Sequence, residues 1–72
     1  MTAYQIIENA LENVQISPDA YDVVSSLIDG MENEDYTIEN YLAALEDGGF
    51  LAVMGFNNQE AVEEAYEFLE NL

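Results

Sequence analysis

The chain contains no residue with a cationic side chain: lysine, arginine and histidine are all absent from its 72 residues. Sixteen aspartates and glutamates are therefore unopposed, and the formal net charge is −16. Cysteine is absent too, which excludes disulfides, thiolate metal sites and thiol catalysis. No apolar run approaches the roughly 20 residues of a membrane-spanning helix. The N-terminus has no basic segment of the kind that begins a secretory signal, so we expect a cytoplasmic location.

The missing side chains also bear on catalysis. General acid–base chemistry usually employs histidine, or a lysine or glutamate with a tuned pKa. Ser25 and Ser26 have no histidine or lysine to activate them, and phosphoryl transfer would lack every cationic stabiliser. A carboxylate pair could serve glycoside hydrolysis, but the chain is small for the cleft that this reaction needs. We therefore expect no enzyme activity and no cofactor.

What the chain does contain is a series of amphipathic helical patterns. Half of the residues are hydrophobic, which is enough for one core in a single acidic domain spanning residues 1–72. We predict a mainly α fold, a small compact bundle of about four helices. The predicted helix starts are Thr2 with Gln5, Ser17 before Pro18, and Thr37, where Asp35 competes as the cap. The residues expected on the buried faces are Tyr4, Ile6, Ile7, Ala10, Leu11, Val14, Ala20, Tyr21, Val24, Leu27, Ile28, Met31, Ile38, Tyr41, Leu42, Leu45, Val62, Ala65, Tyr66, Leu69 and Leu72.

The segment Phe50–Phe56 is an apolar run enclosed by glycines, and its pattern leaves two structures open. It is either a buried short helix or irregular linker, which we favour narrowly, or a single buried strand. A strand would need a partner, and pairing with the same strand of a second copy would make a homodimer. The sequence leaves both a monomer and a homodimer open. We also predict that Gly48 and Gly49 end the third helix.

The last stretch, Asn57–Leu72, separates into an apolar face and an anionic face at about 100° per residue. We expect Asn57 to cap this helix and Glu60 to complete a capping box. A surface helix ordinarily pairs its glutamates with lysines four residues away. Here pairs such as Glu60 and Glu64 have like charge, which costs about 0.2–0.5 kcal/mol for each pair.

Rows of carboxylates on two helices form the candidate partner-binding surface. Acids on one helix edge lie about 5–6 Å apart, and ten residues of helix span about 15 Å. DNA phosphates lie about 3.4 Å apart in axial rise on each strand, and somewhat further apart along the curved backbone. An edge of acids can therefore approximate a row of phosphates. The first row is Glu60, Glu63, Glu64, Glu67 and Glu70, and the second is Asp19, Asp22 and Asp29, continued by Glu32, Glu34 and Asp35, with Tyr36 as an aromatic anchor.

The excess of acids is also compatible with less specific roles. Most runs of charge are ordinary solvated faces, and a halophilic source would also favour acidic residues. An EF-hand loop beginning at Asp29 fails, since Met31, Glu34 and Asn40 occupy positions 3, 6 and 12. We expect weak divalent-cation binding at most, and no dedicated metal site. The main alternative is an acidic interaction module, or an antitoxin-like regulator, that binds a basic protein.

In size, acidity and lack of enzyme apparatus, the whole chain resembles small phage and mobile-element inhibitors that mimic DNA. These include anti-CRISPR proteins, anti-restriction proteins and uracil-DNA glycosylase inhibitors. The resemblance is one of composition and includes no residue motif. It implies a non-enzymatic inhibitor that occupies the basic groove of a DNA- or RNA-binding host protein, such as a CRISPR effector or a restriction enzyme, in the host cytoplasm. Such a protein would bind neither nucleic acid nor anionic membrane directly, because both would repel it.

Overall fold

The computed structural model describes residues 1–72, and it contains five helices and no strand. The mainly α bundle that the sequence predicts is confirmed. The molecule measures 31 × 25 × 17 Å along its principal axes. None of the helices has the length and apolar character needed to cross a lipid bilayer. In chain order the helices are α1 (Ala3–Leu11), α2 (Pro18–Gly30), α3 (Ile38–Glu46), α4 (Gly48–Val53) and α5 (Gln59–Glu70).

The first three helices begin where the sequence predicts. Thr2 caps α1 in a reciprocal box, in which its backbone N–H donates to Gln5 at 3.0 Å and its hydroxyl accepts from the Gln5 N–H at 3.1 Å. Ser17 caps α2 immediately before a proline. Thr37, rather than Asp35, caps α3. All three caps are confirmed. They could be predicted because each one depends on residues only three positions apart in the chain.

The start of α5 lies one residue later than predicted. Asn58, not Asn57, is the cap, and its side-chain oxygen accepts from the Ala61 N–H at 3.2 Å. The capping box between Asn57 and Glu60 is therefore wrong. The side-chain amide of Asn58 also donates to Asp19 of α2 at 3.2 Å, and this contact between helices, invisible in the local sequence, accompanies the shifted register.

The apolar segment after α3 begins as a short helix, so the strand alternative for Phe50–Phe56 is wrong. The predicted helix is confirmed as far as Val53, but its predicted burial is wrong, because none of its residues is fully buried. Its six residues begin earlier than expected, at Gly48. The prediction that Gly48 and Gly49 end α3 is wrong, because Asp47 both ends α3 and caps α4. One Asp47 carboxylate oxygen accepts from the N–H groups of Gly49 and Phe50 at 3.0 and 3.2 Å.

A glycine ends α4 through a backbone conformation that other residues rarely adopt. Gly55 has a φ of +85°. Its N–H donates to the Ala52 carbonyl at 3.1 Å, and the Phe56 N–H donates to the Leu51 carbonyl at 2.9 Å. This pair of bonds is a Schellman motif. It turns the chain toward α5. The residues of α4 itself are half-buried or exposed, and none is fully buried.

The core lies between α2 and α5, with α1 packed on α2, and α3 packed on both α5 and α4. Three residues expected in the core are exposed: Ile6, Tyr21 and Leu72. The principal contact of α1 is with α2, so its buried stripe is narrow and excludes Ile6. On α2 the buried face is rotated toward Val23, and Tyr21 lies on its flank. The fully buried hydrophobic residues are Ala3, Ile7, Leu11, Ala20, Val23, Val24, Leu27, Ile28, Tyr41, Leu45, Ala61, Val62, Ala65 and Leu69.

Candidate functional site

The acidic side chains lie at the surface, and no charged residue is buried. The surface area is 4528 Å², which divided among 16 acids gives about 283 Å² for each one. An even distribution would place neighbouring carboxylates about 17 Å apart, the square root of that area. Acids that lie much closer than this spacing form a local concentration of negative potential.

Four glutamates of α5 form such a concentration, and we name them the α5 ridge: Glu60, Glu63, Glu67 and Glu70. All four are exposed. At about 100° per residue they fall within an arc of about 80°, on the side opposite the buried alanines and leucine of this helix. Neighbours on the ridge lie three or four residues apart, which corresponds to about 5–6 Å. The ridge runs for about 15 Å along the helix axis.

Glu64 does not belong to this ridge, although the sequence groups it there. It is half-buried, on the flank of α5 that faces the start of α2. One carboxylate oxygen accepts from the Ser17 N–H at 2.9 Å, and the other accepts from the Ser17 hydroxyl at 2.8 Å. These two hydrogen bonds hold the pKa of Glu64 below its ordinary value. The Glu64 carboxylate therefore joins α5 to α2, and both of its oxygens already accept hydrogen bonds within the molecule.

We expect Glu64→Gln to lower the melting temperature at neutral pH relative to Glu67→Gln, which removes the same charge from the solvated ridge. A depressed pKa in the folded state stabilises the fold above the unfolded pKa, and this stabilisation disappears as the pH falls through the folded pKa. The two variants should therefore converge below the ordinary glutamate value of 4.5. Thermal unfolding followed by circular dichroism between about pH 3 and pH 7 measures this. A gap that stays constant with pH would show that the charge of the Glu64 carboxylate contributes nothing to this contact.

The predicted row on α2 is divided between two places. Asp19 and Asp22 line a small concavity of about 160 Å³ beside Phe56 and the start of α5. Asp29 lies ten residues later, about 15 Å away along the helix axis. The carboxylate of Asp19 accepts from Asn58 at 3.2 Å, so it is partly satisfied within the molecule. α2 therefore carries no continuous row.

Asp29 belongs instead to a cluster around Tyr4, where the first helix meets the loop after α2. Glu32 and Glu34 line a concavity of about 380 Å³ together with Tyr4 and Glu8. Burial raises the pKa of the Tyr4 hydroxyl, and the nearby carboxylates of Glu8, Glu32 and Asp29 raise it further. Glu8 was not among the predicted site residues. Its pattern on α1 indicates only an exposed position and gives no sign of this long-range proximity.

The remaining two predicted residues lie in the connection between α2 and α3. Asp35 is exposed, and its backbone N–H donates to the Asn33 side chain at 2.9 Å in a local turn. Tyr36 is half-buried and packs edge-on against Tyr41, with ring centroids 6.0 Å apart and ring planes at 87°. One side of the Tyr36 ring therefore packs against the core, and its role as an interface anchor stays a prediction.

A third concavity, of about 300 Å³, lies between α3, α4 and α5. Glu63 of the α5 ridge lines it together with Glu46 of α3. The Tyr66 hydroxyl donates to Glu46 at 3.0 Å, and this bond raises the pKa of Tyr66, with burial adding to the shift. Glu46 was not predicted as a site residue, because its neighbours in space come from a different helix. No group of three or more acids in the molecule is arranged to hold a metal ion.

Comparison with known proteins finds no match for this chain among protein-family models, curated proteins or solved structures. The function of the surface is therefore inferred from its charges and its shape. Its strongest feature is the α5 ridge, whose neighbouring Cβ atoms are about 5–6 Å apart, about a third of the spacing that an even distribution of acids would give.

Proposed function

We propose that the protein is a non-enzymatic inhibitor that imitates nucleic-acid phosphates and blocks the basic groove of a DNA-binding protein. The target would be a defence or DNA-processing protein of the host cell, reached in the cytoplasm. The observation that carries this proposal is the α5 ridge: four exposed carboxylates in one line, with no lysine, arginine or histidine anywhere in the chain.

The physical reason is that this arrangement has a free-energy cost which a cationic partner removes. Like charges three and four residues apart destabilise a helix, and a large net charge opposes the compact state. In a basic groove the same carboxylates form ion pairs with arginine and lysine. The field of the whole molecule also steers such a partner toward it and raises the association rate, most strongly at low salt.

Because the acids of α2 do not form a continuous row, the protein would imitate one phosphate backbone and not two. A single ridge about 15 Å long corresponds to one stretch of phosphate backbone rather than to two strands of a duplex. The acids around Tyr4 lie at a different place, near the loop after α2. They therefore provide a separate negative region that would increase steering without continuing the row.

The direct test is the elution of a captured partner by DNA. The protein is immobilised, exposed to a lysate of the host cell, and washed at graded salt. Bound protein is then eluted with duplex DNA of about 20 base pairs at constant ionic strength, against a parallel elution with an uncharged polymer. We expect duplex DNA to release the partner, because both ligands need the same groove. A partner that salt releases but DNA does not would refute the imitation and identify an acidic protein-interaction module or antitoxin-like regulator.

A further inference from the structure

The concavity between α3, α4 and α5 combines an apolar interior with an anionic mouth, and we name it the notch. Leu45 and Val62 form its floor and are 3% and 6% exposed. Leu51 and Tyr66 are half-buried walls. Gly48 contributes no side chain, and a Cβ built there would meet no atom within 4 Å, so this side of the notch is open.

Two carboxylates at the mouth of the notch are held by neighbours. Glu46 of α3 is exposed, and one of its oxygens accepts from the Tyr66 hydroxyl at 3.0 Å. Glu63 of α5 is exposed, and one of its oxygens lies 3.5 Å from the side-chain nitrogen of Gln59. Each carboxylate therefore keeps its second oxygen for a ligand. Because the two residues come from different helices, a ligand between them would be held from two sides.

We propose that the notch binds one arginine side chain of the basic partner. The methylene stem would lie on the leucine and valine floor, and the guanidinium would donate to Glu46 and Glu63. A planar guanidinium has five donors in a fixed fork and is weakly hydrated, so it can contact two carboxylates from within an apolar recess. A lysine ammonium is a compact and strongly hydrated charge, which favours the fully solvated α5 ridge instead.

The size of the notch agrees with this occupant. A concavity of about 300 Å³ has room for the seven heavy atoms that an arginine side chain has beyond its Cα. A row of carboxylates recognises charge alone. The notch would recognise the apolar stem of the side chain as well as its charge. This inference depends on the proposed function only for the cationic nature of the partner.

Model ligands test the notch without the cellular partner. The ¹⁵N-labelled protein is titrated with acetyl-arginine amide and followed by its backbone amide signals in NMR spectra. Acetyl-citrulline amide supplies the same shape without charge, guanidinium chloride supplies the charge without the stem, and acetyl-lysine amide supplies a different cation. We expect acetyl-arginine amide to bind most tightly and to shift the signals of Gly48, Leu51 and Glu63. Equal shifts from guanidinium, or shifts spread over all acidic residues, would overturn the proposal.

Substitutions that neutralise single carboxylates then locate the site. Glu46→Gln and Glu63→Gln should each weaken acetyl-arginine amide binding about two- to fivefold, as expected for partly exposed ion pairs. The matched controls are Glu39→Gln on α3 and Glu67→Gln on α5, which remove the same charge from the same helices outside the notch. Controls that weaken binding as much as the notch variants would show attraction by net charge alone.

The two proposals can fail separately. If acetyl-arginine amide does not prefer the notch, but duplex DNA still releases the captured partner, the phosphate imitation stands and the notch proposal is wrong. If arginine binds in the notch and DNA releases nothing, the notch instead serves recognition of a basic protein that has no competing nucleic acid.

Discussion

Reversing two charges on the α5 ridge, Glu60→Lys together with Glu67→Lys, is expected to weaken partner binding at least about 100-fold. Under the proposed function, each lysine would remove an ion pair and place a like charge against the basic groove of the partner. A loss of about 1.5–2 kcal/mol for each reversal gives about 3–4 kcal/mol in all, and every 1.4 kcal/mol is tenfold in affinity. Both positions are exposed and lie outside the notch, so the change acts on the ridge itself.

The same double reversal should not unfold the protein. Each new lysine has glutamates three and four residues away, so repulsive pairs such as Glu63 with residue 67 become attractive, by about 0.2–0.5 kcal/mol for each pair. We therefore expect an unchanged or slightly higher melting temperature, measured beside the binding constant. The matched control is Glu12→Lys with Glu39→Lys, which changes the net charge equally on exposed residues outside α5. Equal loss of binding in the control would assign the effect to net charge rather than to the ridge.

Most of the fold could be predicted because its signals are local. Thr2, Ser17 and Thr37 cap their helices through residues no more than three positions away. The apolar stripes likewise repeat within each helix, and Ile7, Leu11, Val24, Tyr41 and Leu69 are buried as that period predicts. Local rules of this kind do not depend on how the helices pack, so the sequence alone determines them.

The sequence-based predictions are wrong where one residue serves two helices, or where the packing of other helices decides whether a side chain is buried. Asp47 ends one helix and begins the next, and its sequence context does not distinguish the two roles. Tyr21 has helical spacing with other apolar residues, but it is 44% exposed because the neighbouring helices pack on the side of Val23. The burial of a flanking residue depends on the positions of other helices, which periodicity within one helix does not contain.

The candidate site shows the same division between local and long-range information. The α5 ridge lies on one helix, so its four members could be recognised from their spacing. Spacing also groups Glu64 with them. Its actual contact, Ser17, lies 47 residues away in the chain, so the spacing on α5 gives no sign of it. The notch and the cluster around Tyr4 escape sequence-based prediction for the same reason, since each one is assembled from segments that are far apart in the chain.

Raising the NaCl concentration from about 10 mM to about 150 mM is expected to increase the melting temperature by roughly 10 °C. The folded chain has a radius of gyration of 11.0 Å, whereas an unfolded chain of this length reaches about 26 Å. Folding therefore concentrates all the carboxylates in a small volume. The Debye length is about 30 Å at the lower salt, nearly the 31 Å length of the molecule, and about 8 Å at the higher salt. Screening thus relieves repulsion across the whole folded surface.

The ridge-reversed variant, Glu60→Lys with Glu67→Lys, provides the internal control for this salt effect. Its net charge is −12 instead of −16, because each reversal changes the charge by two. Self-repulsion scales with the square of the charge, so the salt-dependent rise should fall to about half. Chloride is the appropriate anion, since sulfate stabilises folded proteins by exclusion from their surface, and a chelator removes divalent cations. A melting temperature that decreases steadily with NaCl would show that attraction between charges, and not repulsion, dominates the folded state.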